Sequence, residues 1–325
     1  MPSDPGSGEV LVKLRSVGIC GSDMHWYLDG SIYGFPASYP LVLGHEPAGE
    51  VVAVGSGVSG LRPGNRISIE PTVSCGHCEY CARGQHNNCI RSQFMGSPQL
   101  PGLLREYAIV PAHNAEPVPD SFNYTQASLI EPVAVIMHML ELVQIHAGDT
   151  VAILGAGPIG LLAAAVARHC GAAQVLVADK LPHRIRMAQD LGATAAVPIA
   201  QFPELVGDKT RGRGVDLAID AAGASETINT ALAVARLGGT FVLIGIPNHV
   251  PVGVDLFSAM AKEIRIQPLK RSNHRSRAAI ALLASGAIPE AIVTHRVPIE
   301  QAPAAFQTLA EYRDGIGKLA IEFPE

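Results

Sequence analysis

The sequence contains few charged residues. Only 16% of its 325 residues are charged, and 24 Lys and Arg face 29 Asp and Glu, for a formal net charge of −5. Without a basic excess the chain cannot neutralise many phosphates, which excludes nucleic acid as its main ligand. Hydrophobic residues make up 48% of the chain, so it can bury sizeable cores and intrinsic disorder is excluded for most of it.

Targeting and membrane signals are also lacking. The start, MPSDPGSGEV, has neither the basic nor the apolar stretch of a signal peptide. One uncharged run, Thr150 to Ala167, is interrupted by Gly155, Gly157, Pro158 and Gly160. It therefore predicts a buried strand, a turn and a helix start, not a membrane span. We expect a soluble, cytoplasmic protein without a membrane partner.

The six cysteines do not predict a disulfide framework, because the chain is long and carries no secretory signal. Four of them form a C-x2-C-x2-C-x7-C pattern inside a lobe at 75–91: Cys75, Cys78, Cys81 and Cys89. Four thiolates fill the tetrahedral sphere of Zn²⁺, which predicts a closed, structural site. An iron–sulfur cluster is the chemical alternative. A nucleic-acid-binding knuckle is disfavoured by the few basic residues of the lobe, and its His77 and His86 are surplus to the site.

The order of predicted elements divides the chain into two kinds of domain. Up to about residue 120, short alternating strands and many Gly and Pro turns indicate an irregular β-rich domain. From about residue 125, strands and helices alternate strictly, which is typical of a doubly wound parallel sheet in the α/β class. We predict domains at 1–132 and 133–270, with 271–325 returning to the first domain.

A glycine-rich turn opens the second domain after the strand VAIL. Five of its residues fit the phosphate-binding pattern of a dinucleotide site: Gly155, Gly157, Pro158, Ile159 and Gly160. The helix that follows offers free N–H groups to a pyrophosphate. Asp179, at the end of the next strand, is placed to accept from ribose hydroxyls and so favours NAD over NADP, with Lys180 and Arg184 as nearby cations. A purely structural glycine turn is the alternative.

A second, open metal site is indicated by residues far apart in sequence. Cys20 begins a CGSDMH segment, His45 and Glu46 form a GHE segment, and Glu131 lies near the domain junction. A thiolate, an imidazole and carboxylates can converge on one zinc and leave a coordination position open. Each piece alone is equally compatible with ordinary core packing.

Taken together, the motifs resemble the zinc-dependent medium-chain alcohol and polyol dehydrogenases. The segments that carry the resemblance are GICGSDMH, GHEPAGEVVAVGSGV, CGHCEYCARGQHNNC, LIEPVAV, LGAGPIGLLAAAVAR and VADK. IEPVAV and the VTHRVPIEQAPAAF ending are most similar to sorbitol dehydrogenases and their xylitol, erythritol and butanediol relatives. Threonine dehydrogenases are the nearest competitor, although they usually carry Asp-Pro-Phe in place of Glu-Pro-Val.

The resemblance implies a GroES-like catalytic domain joined to a Rossmann domain, with two Zn²⁺ per chain and NAD. Its catalytic zinc ligands correspond to Cys20, His45 and Glu46, and Glu131 corresponds to the glutamate that holds the zinc-bound water or reaches the metal. Asp23 is implied to orient a ligand.

The resemblance also implies roles on the substrate side. Ser22 matches the hydroxyl beside the substrate oxygen, and His25 the residue that passes the proton to solvent. Arg271 resembles an arginine near the substrate, although a solvated helix start is the alternative, and Phe94 either lines the pocket or packs in the core. His138, His169 and His295 are assigned to packing or surface.

Three features of this sequence depart from the family pattern. Only eight residues precede Glu9, Trp26-Tyr27 follows the motif histidine, and Ser272 stands where an aromatic residue is common.

The implied activity is the oxidation of a polyol's secondary alcohol to a ketone, with hydride transfer to NAD. A 2,3-butanediol or L-threonine dehydrogenase is the alternative enzyme. An inactive NAD-binding relative is the alternative from another class, and the complete set of zinc ligands argues against it. A homo-oligomer, either a dimer or a tetramer, is expected through the nucleotide domain.

Overall fold

The computed structural model describes residues 3–32, 34–247 and 250–324. It contains 17 strands: β1 Glu9–Gly18, β2 Ser31–Ile32, β3 Phe35–Pro36, β4 Glu46–Val54, β5 Arg66–Ile69, β6 Thr72–Val73, β7 Gln93–Phe94, β8 Tyr107–Pro111, β9 Ala115–Pro117, β10 Thr150–Leu154, β11 Gln174–Asp179, β12 Ala195–Pro198, β13 Val215–Asp220, β14 Ala235–Leu243, β15 Arg265–Pro268, β16 Val293–Pro298 and β17 Lys318–Glu322.

Eleven α-helices complete the described part of the chain: α1 Gly21–Leu28, α2 Glu79–Ala82, α3 Tyr124–Ser128, α4 Ile130–Leu142, α5 Pro158–His169, α6 Pro182–Asp190, α7 Phe202–Thr210, α8 Ser225–Val234, α9 Leu256–Ala261, α10 Ser276–Ala284 and α11 Ala302–Ala310. Within these same residues, no helix has both the length and the apolar character needed to cross a membrane.

These elements form two compact units. The first comprises Met1–Met137, Arg271–Ser285 and Val293–Glu325, and the second comprises His138–Lys270 and Gly286–Ile292. The division thus falls a few residues beyond the expected 132/133 boundary. All of 271–325 is expected in the first domain, but the short stretch Gly286–Ile292 belongs to the second unit. Its one-turn helix at Glu290–Ile292 contacts α5.

The first unit is built on a seven-stranded sheet in the order β16-β17-β1-β4-β5-β9, with β8 also paired to β1. All the pairings of β1 are antiparallel. Apolar side chains of β1 are fully buried, among them Val10, Val12 and Leu14, and they begin a core that extends to Phe306 of α11. The sheet is mainly antiparallel, and the unit has the β-rich character predicted from the alternation and turn residues.

The second unit contains a six-stranded parallel sheet in the order β12-β11-β10-β13-β14-β15. Every residue of β10 is buried, as expected for a parallel strand covered by helices on both faces. A separate core runs from Ala152 to Phe241 and Ala259. The predicted doubly wound α/β fold is confirmed.

Two element boundaries differ from the sequence expectation. The apolar pattern of residues 125–143 predicts one helix, whereas the structure has two, α3 and α4, because Pro132 has no N–H with which a continuous helix could bond the carbonyl of Ser128. Proline is tolerated in the first turn of a new helix. The pattern also predicts a helix over 226–239, but α8 ends at Val234, since Ala235 already pairs with Val215 of β13.

Candidate active site and metal clusters

The glycine-rich turn links β10 to α5 in a conformation that depends on its glycines. Gly155 has a φ of +102°, where side chains are strained. A Cβ on Gly160 would collide with the carbonyl oxygen of Gly155, so the third glycine permits the helix to pack on the strand. A Cβ on Gly157 would meet only the Arg184 guanidinium, at 3.6 Å. Pro158 then begins α5, whose first N–H groups remain available to an anion.

Asp179 anchors this turn to the end of β11. One carboxylate oxygen accepts from the Ala156 N–H at 2.7 Å, and the other accepts from the Leu181 N–H at 2.8 Å. The side chain is buried, Lys180 is exposed, and Arg184 lies over the turn beside Gly157. The predicted cofactor-binding residues are therefore brought together, and Asp179 has a structural duty that the motif alone did not reveal.

Strand register brings together the three proposed ligands of the open metal site. Gly18, near the end of β1, pairs with Glu46 of β4. Cys20 follows two residues later at the start of α1, and His45 directly precedes β4. The ligand atoms of Cys20, His45 and Glu46 all lie within 4.8 Å of one another. Sulfur, nitrogen and oxygen donors in so compact a group fit a borderline divalent ion such as Zn²⁺.

Two neighbours on α1 orient His45. The Asp23 carboxylate lies 3.4 Å from His45 Nδ1 and accepts from the N–H groups of Cys20 and Gly44 at 2.9 and 3.0 Å. Burial alone would lower the pKa of His45, but the charge of Asp23 raises it overall. With Nδ1 facing a carboxylate, Nε2 is left for a metal, as is usual for ligating histidines. The Ser22 hydroxyl is 3.1 Å from that Nε2.

Lys318 is a member of this site that sequence reasoning missed. Its ammonium forms an ion pair with Glu46 and donates to the Ile19 carbonyl at 2.9 Å, with 2% of the side chain exposed. Burial alone would lower the pKa of Lys318, but the negative charges of Glu46 and Cys20 raise it overall. No local motif marks this lysine. It lies at the start of β17, and the pairing of β17 with β1 brings it to the site.

Glu131 lies in the first turn of α4 and is buried. Its carboxylate is outside the group of three ligand atoms that lie within 4.8 Å of one another, yet it belongs to the same electrostatic environment. Burial, together with the charges of Glu46 and Glu70, raises the pKa of Glu131 to about 8, although His45 and Lys318 oppose this shift.

The Phe94 ring contacts both Arg271 and His45 of the open metal site. The Arg271 guanidinium lies 4.0 Å from the centre of the Phe94 ring, and that ring lies 5.1 Å from the ring of His45. Arg271 precedes α10 by several residues and has a φ of +59°, so it belongs to a loop and not to a solvated helix start. His25 lies further along α1 and bonds Asp29 at 3.0 Å.

The residues after Arg271 attach this loop to the rest of the first unit, a role that sequence reasoning missed. Ser272 is buried and donates to the carboxylate of Glu70 at 3.0 Å. Asn273 accepts from the His86 N–H and donates to the Gly84 carbonyl, each at 2.9 Å. Ser272, which departs from the family pattern, thus serves as the hydroxyl partner of a buried carboxylate.

The four-cysteine lobe also forms as predicted. The sulfur atoms of Cys75, Cys78, Cys81 and Cys89 lie within 4.8 Å of one another, and none of the six cysteines forms a disulfide. Backbone N–H groups of Cys81 and Ile90 lower the pKa of Cys78 to about 6, which favours the thiolate that metals bind. Four sulfur donors without another ligand suit a structural Zn²⁺.

The three histidines expected to have packing or surface roles lie outside these clusters. His138 is buried and bonds Glu141 at 2.9 Å, His169 is exposed on α5, and His295 bonds Thr294 at 2.8 Å. Packing and surface roles account for all three.

Comparison with known proteins agrees with the fold. Residues 6–120 match the model of the alcohol dehydrogenase GroES-like domain, and residues 158–285 match that of the zinc-binding dehydrogenases. The chain is 36% identical to a sorbitol dehydrogenase of Bacillus subtilis (strain 168), over 98% of this chain and 91% of that protein.

Two solved structures are similar throughout. A putative zinc-binding dehydrogenase from Sinorhizobium meliloti 1021, bound to NADP, has a TM-score of 0.89 and 33% identity, covering 98% of this chain and 93% of its own. An alcohol dehydrogenase from E. coli CFT073, complexed with NADH, has a TM-score of 0.90 and 32% identity, with coverages of 99% and 94%. The chain belongs to the zinc-binding alcohol and polyol dehydrogenase family.

Proposed function

We propose that this protein is an NAD-dependent zinc dehydrogenase that oxidises a secondary hydroxyl of a polyol to a ketone. The observation that carries the proposal is the group of Cys20 with the buried His45 and Glu46, and the Ser22 hydroxyl beside His45 Nε2. A zinc ion bound there would supply a Lewis acid that polarises the alcohol oxygen and stabilises its negative charge. Similarity to a sorbitol dehydrogenase supports a polyol as the substrate.

Proton removal is assigned to α1. Ser22 and His25 are three residues apart on this helix, so their side chains project from the same face. The Ser22 hydroxyl, next to the metal-binding nitrogen, accepts the alcohol proton and releases its own, which His25 passes towards solvent. Positioned proton transfer of this kind contributes about 10²–10⁴-fold to a rate.

Substrate orientation is assigned to Arg271 and Glu131. The stacking of Arg271 on Phe94 holds the guanidinium near His45, where its N–H groups can bond the neighbouring hydroxyls of a polyol. Glu131 is proposed to hold water or substrate next to the metal, or to reach the metal itself. A site built to bond several hydroxyls discriminates against simple alcohols, because its polar groups would then lie unpaired.

Cofactor binding is assigned to the second unit. The turn from Gly155 to Gly160 and the start of α5 bind the pyrophosphate, and Lys180 and Arg184 flank it. Asp179, at the end of β11, supports NAD over NADP because a carboxylate there repels a 2′-phosphate. NAD bound there would supply the hydride acceptor, and the protein would supply its position.

A homo-oligomer is proposed through this same unit. Leu256, Phe257 and Met260 of α9 are 63%, 72% and 70% exposed. The nearby strand β15 pairs only with β14 among the described strands. An open strand edge beside apolar side chains supports association with a second copy. Six unpaired thiols support a reducing compartment such as the cytoplasm.

The test is turnover by purified protein of measured zinc content. NADH formation is followed over sorbitol, xylitol, erythritol, 2,3-butanediol, L-threonine and simple alcohols, with NADP⁺ in parallel. We expect one polyol to be oxidised with NAD⁺ by protein that holds two zinc ions per chain. Cys20→Ser should retain about one zinc and lose turnover, whereas Cys170→Ser, outside both clusters, should match the wild type.

The outcomes separate the alternatives. Turnover of 2,3-butanediol or threonine alone would reject the polyol assignment and keep the chemistry. Full activity in Cys20→Ser would reject the proposed metal site. An inactive wild-type protein that binds NADH and only one zinc would favour a non-catalytic relative.

A further inference from the structure

Three histidine side chains line a solvent-accessible cavity in the first unit. The cavity has a volume of about 400 Å³ and six lining residues: Ser74, Cys75, Gly76, His86, His113 and His274. Half of the lining is histidine and none of it is acidic. This composition differs from both clusters assigned to zinc, and the cavity plays no part in the proposed dehydrogenase reaction.

Three separate segments bring the histidines together. His86 begins a short 3-10 helix in the cysteine lobe, and His113 lies in the turn between β8 and β9. His274 follows Asn273, whose side chain bonds the lobe backbone on both sides of Gln85. The φ of His274 is +53°, a conformation uncommon for residues with a side chain. These connections hold the ring centroids of His86 and His274 4.6 Å apart, with the rings edge to face.

The surroundings of His86 and His274 favour metal binding by their imidazoles. His86 Nδ1 is 3.3 Å from the Ser74 hydroxyl, which fixes its ring. His274 Nε2 is buried and has no hydrogen-bond partner within the described chain, an arrangement that is costly unless another group binds it. Burial, with the charges of His86 and His113, lowers the pKa of His274 to about 4. A neutral imidazole with an available lone pair is the form that binds metals.

We propose that His86, His113 and His274 bind a divalent transition-metal ion, distinct from the ions of the other two clusters. A set of imidazoles without carboxylate suits borderline ions such as Ni²⁺, Cu²⁺ and Zn²⁺. The three ring nitrogens are not all within 4.8 Å of one another, unlike the ligands of the two tight clusters. Binding therefore requires the exposed His113 side chain to turn inwards, and the ion exchanges more readily than those of the tight clusters.

The experiment measures nickel uptake by untagged, zinc-loaded protein. The protein is dialysed against a series of Ni²⁺ concentrations in a non-chelating buffer, and bound nickel and zinc are both quantified. We expect one saturable nickel per chain in addition to the zinc. His274→Gln and His113→Gln should each weaken nickel binding at least tenfold. His146→Gln, a change of an exposed histidine in the second unit, should leave it unchanged.

Several results would overturn the proposal. Absence of a saturable nickel, or nickel binding that both cavity variants retain at wild-type strength, would show that the three histidines are not ligands. The protein is loaded with two zinc ions per chain before dialysis, so zinc loss that matches nickel uptake would show that nickel had entered a zinc cluster instead. His113 is exposed, so its variant should fold even if His274→Gln does not, and zinc content and NADH turnover identify a folded protein.

Discussion

Replacing Lys318 by methionine isolates the charge that stabilises Glu46. The side chains of Lys318 and Glu46 are 2% and 1% exposed, so neither can exchange its partner for water. Methionine keeps most of the volume of the lysine stem and removes only the ammonium. The Glu46 carboxylate is then left buried without a positive partner.

The loss of unfolding free energy in Lys318→Met should depend on whether zinc is bound. Removing one partner of a buried ion pair costs about 3–5 kcal/mol, because the remaining charge has been taken out of water. We expect this loss in metal-depleted protein. In zinc-loaded protein the ion beside Glu46 supplies positive charge in place of Lys318, and the loss should fall to about half or less. Adding Glu46→Gln to Lys318→Met removes the orphaned charge, so the double variant should recover most of the stability of the depleted protein.

Urea unfolding of both metal states measures these values. Trp26 is the only tryptophan, is 7% exposed and lies on α1 of the same unit, so its fluorescence reports the unfolding of that unit. The double-mutant cycle gives the coupling between Lys318 and Glu46. A loss below about 1 kcal/mol in depleted protein, or equal losses in the depleted and loaded states, would refute the reasoning.

Four further variants concern the cofactor turn and the histidine cavity. Gly160→Ala should lower the urea-unfolding free energy by about 1–3 kcal/mol, because its Cβ meets a backbone oxygen. Gly157→Ala should leave stability within ~0.5 kcal/mol and weaken NADH binding in a fluorescence titration, and the reverse pattern would contradict the assigned roles. Asp179→Asn should raise the KM for NAD⁺ roughly tenfold, by about 1.4 kcal/mol of lost binding, and increase relative turnover with NADP⁺; an unchanged NAD⁺/NADP⁺ ratio would count against it. The pKa of His274 is about 4 against an ordinary 6.5, so the unfolded chain binds more protons between these values and stability falls as pH drops through that window. His274→Gln should flatten this part of the urea-midpoint profile in metal-free buffer, and parallel profiles for variant and wild type would show that the histidine is not buried neutral.

Elements encoded by short stretches of sequence were predicted with the correct type and order. The strand, turn and helix from Thr150 to His169 follow from apolar residues and glycine spacing that act over a few residues. The four-cysteine lobe is equally local, since its ligands lie within one loop. The break before α4 was missed because a single Pro132 outweighed an otherwise continuous helical pattern.

The sequence by itself determined the alternating α/β half, the nucleotide turn and the identity of the candidate zinc ligands. Only the tertiary structure decided that Lys318 neutralises Glu46, that Ser272 binds Glu70, and that three histidines share a cavity. The reason is physical. A periodic pattern specifies which face of a strand is buried, whereas the register of β1 against β4 and β17 decides which distant side chains meet at its end.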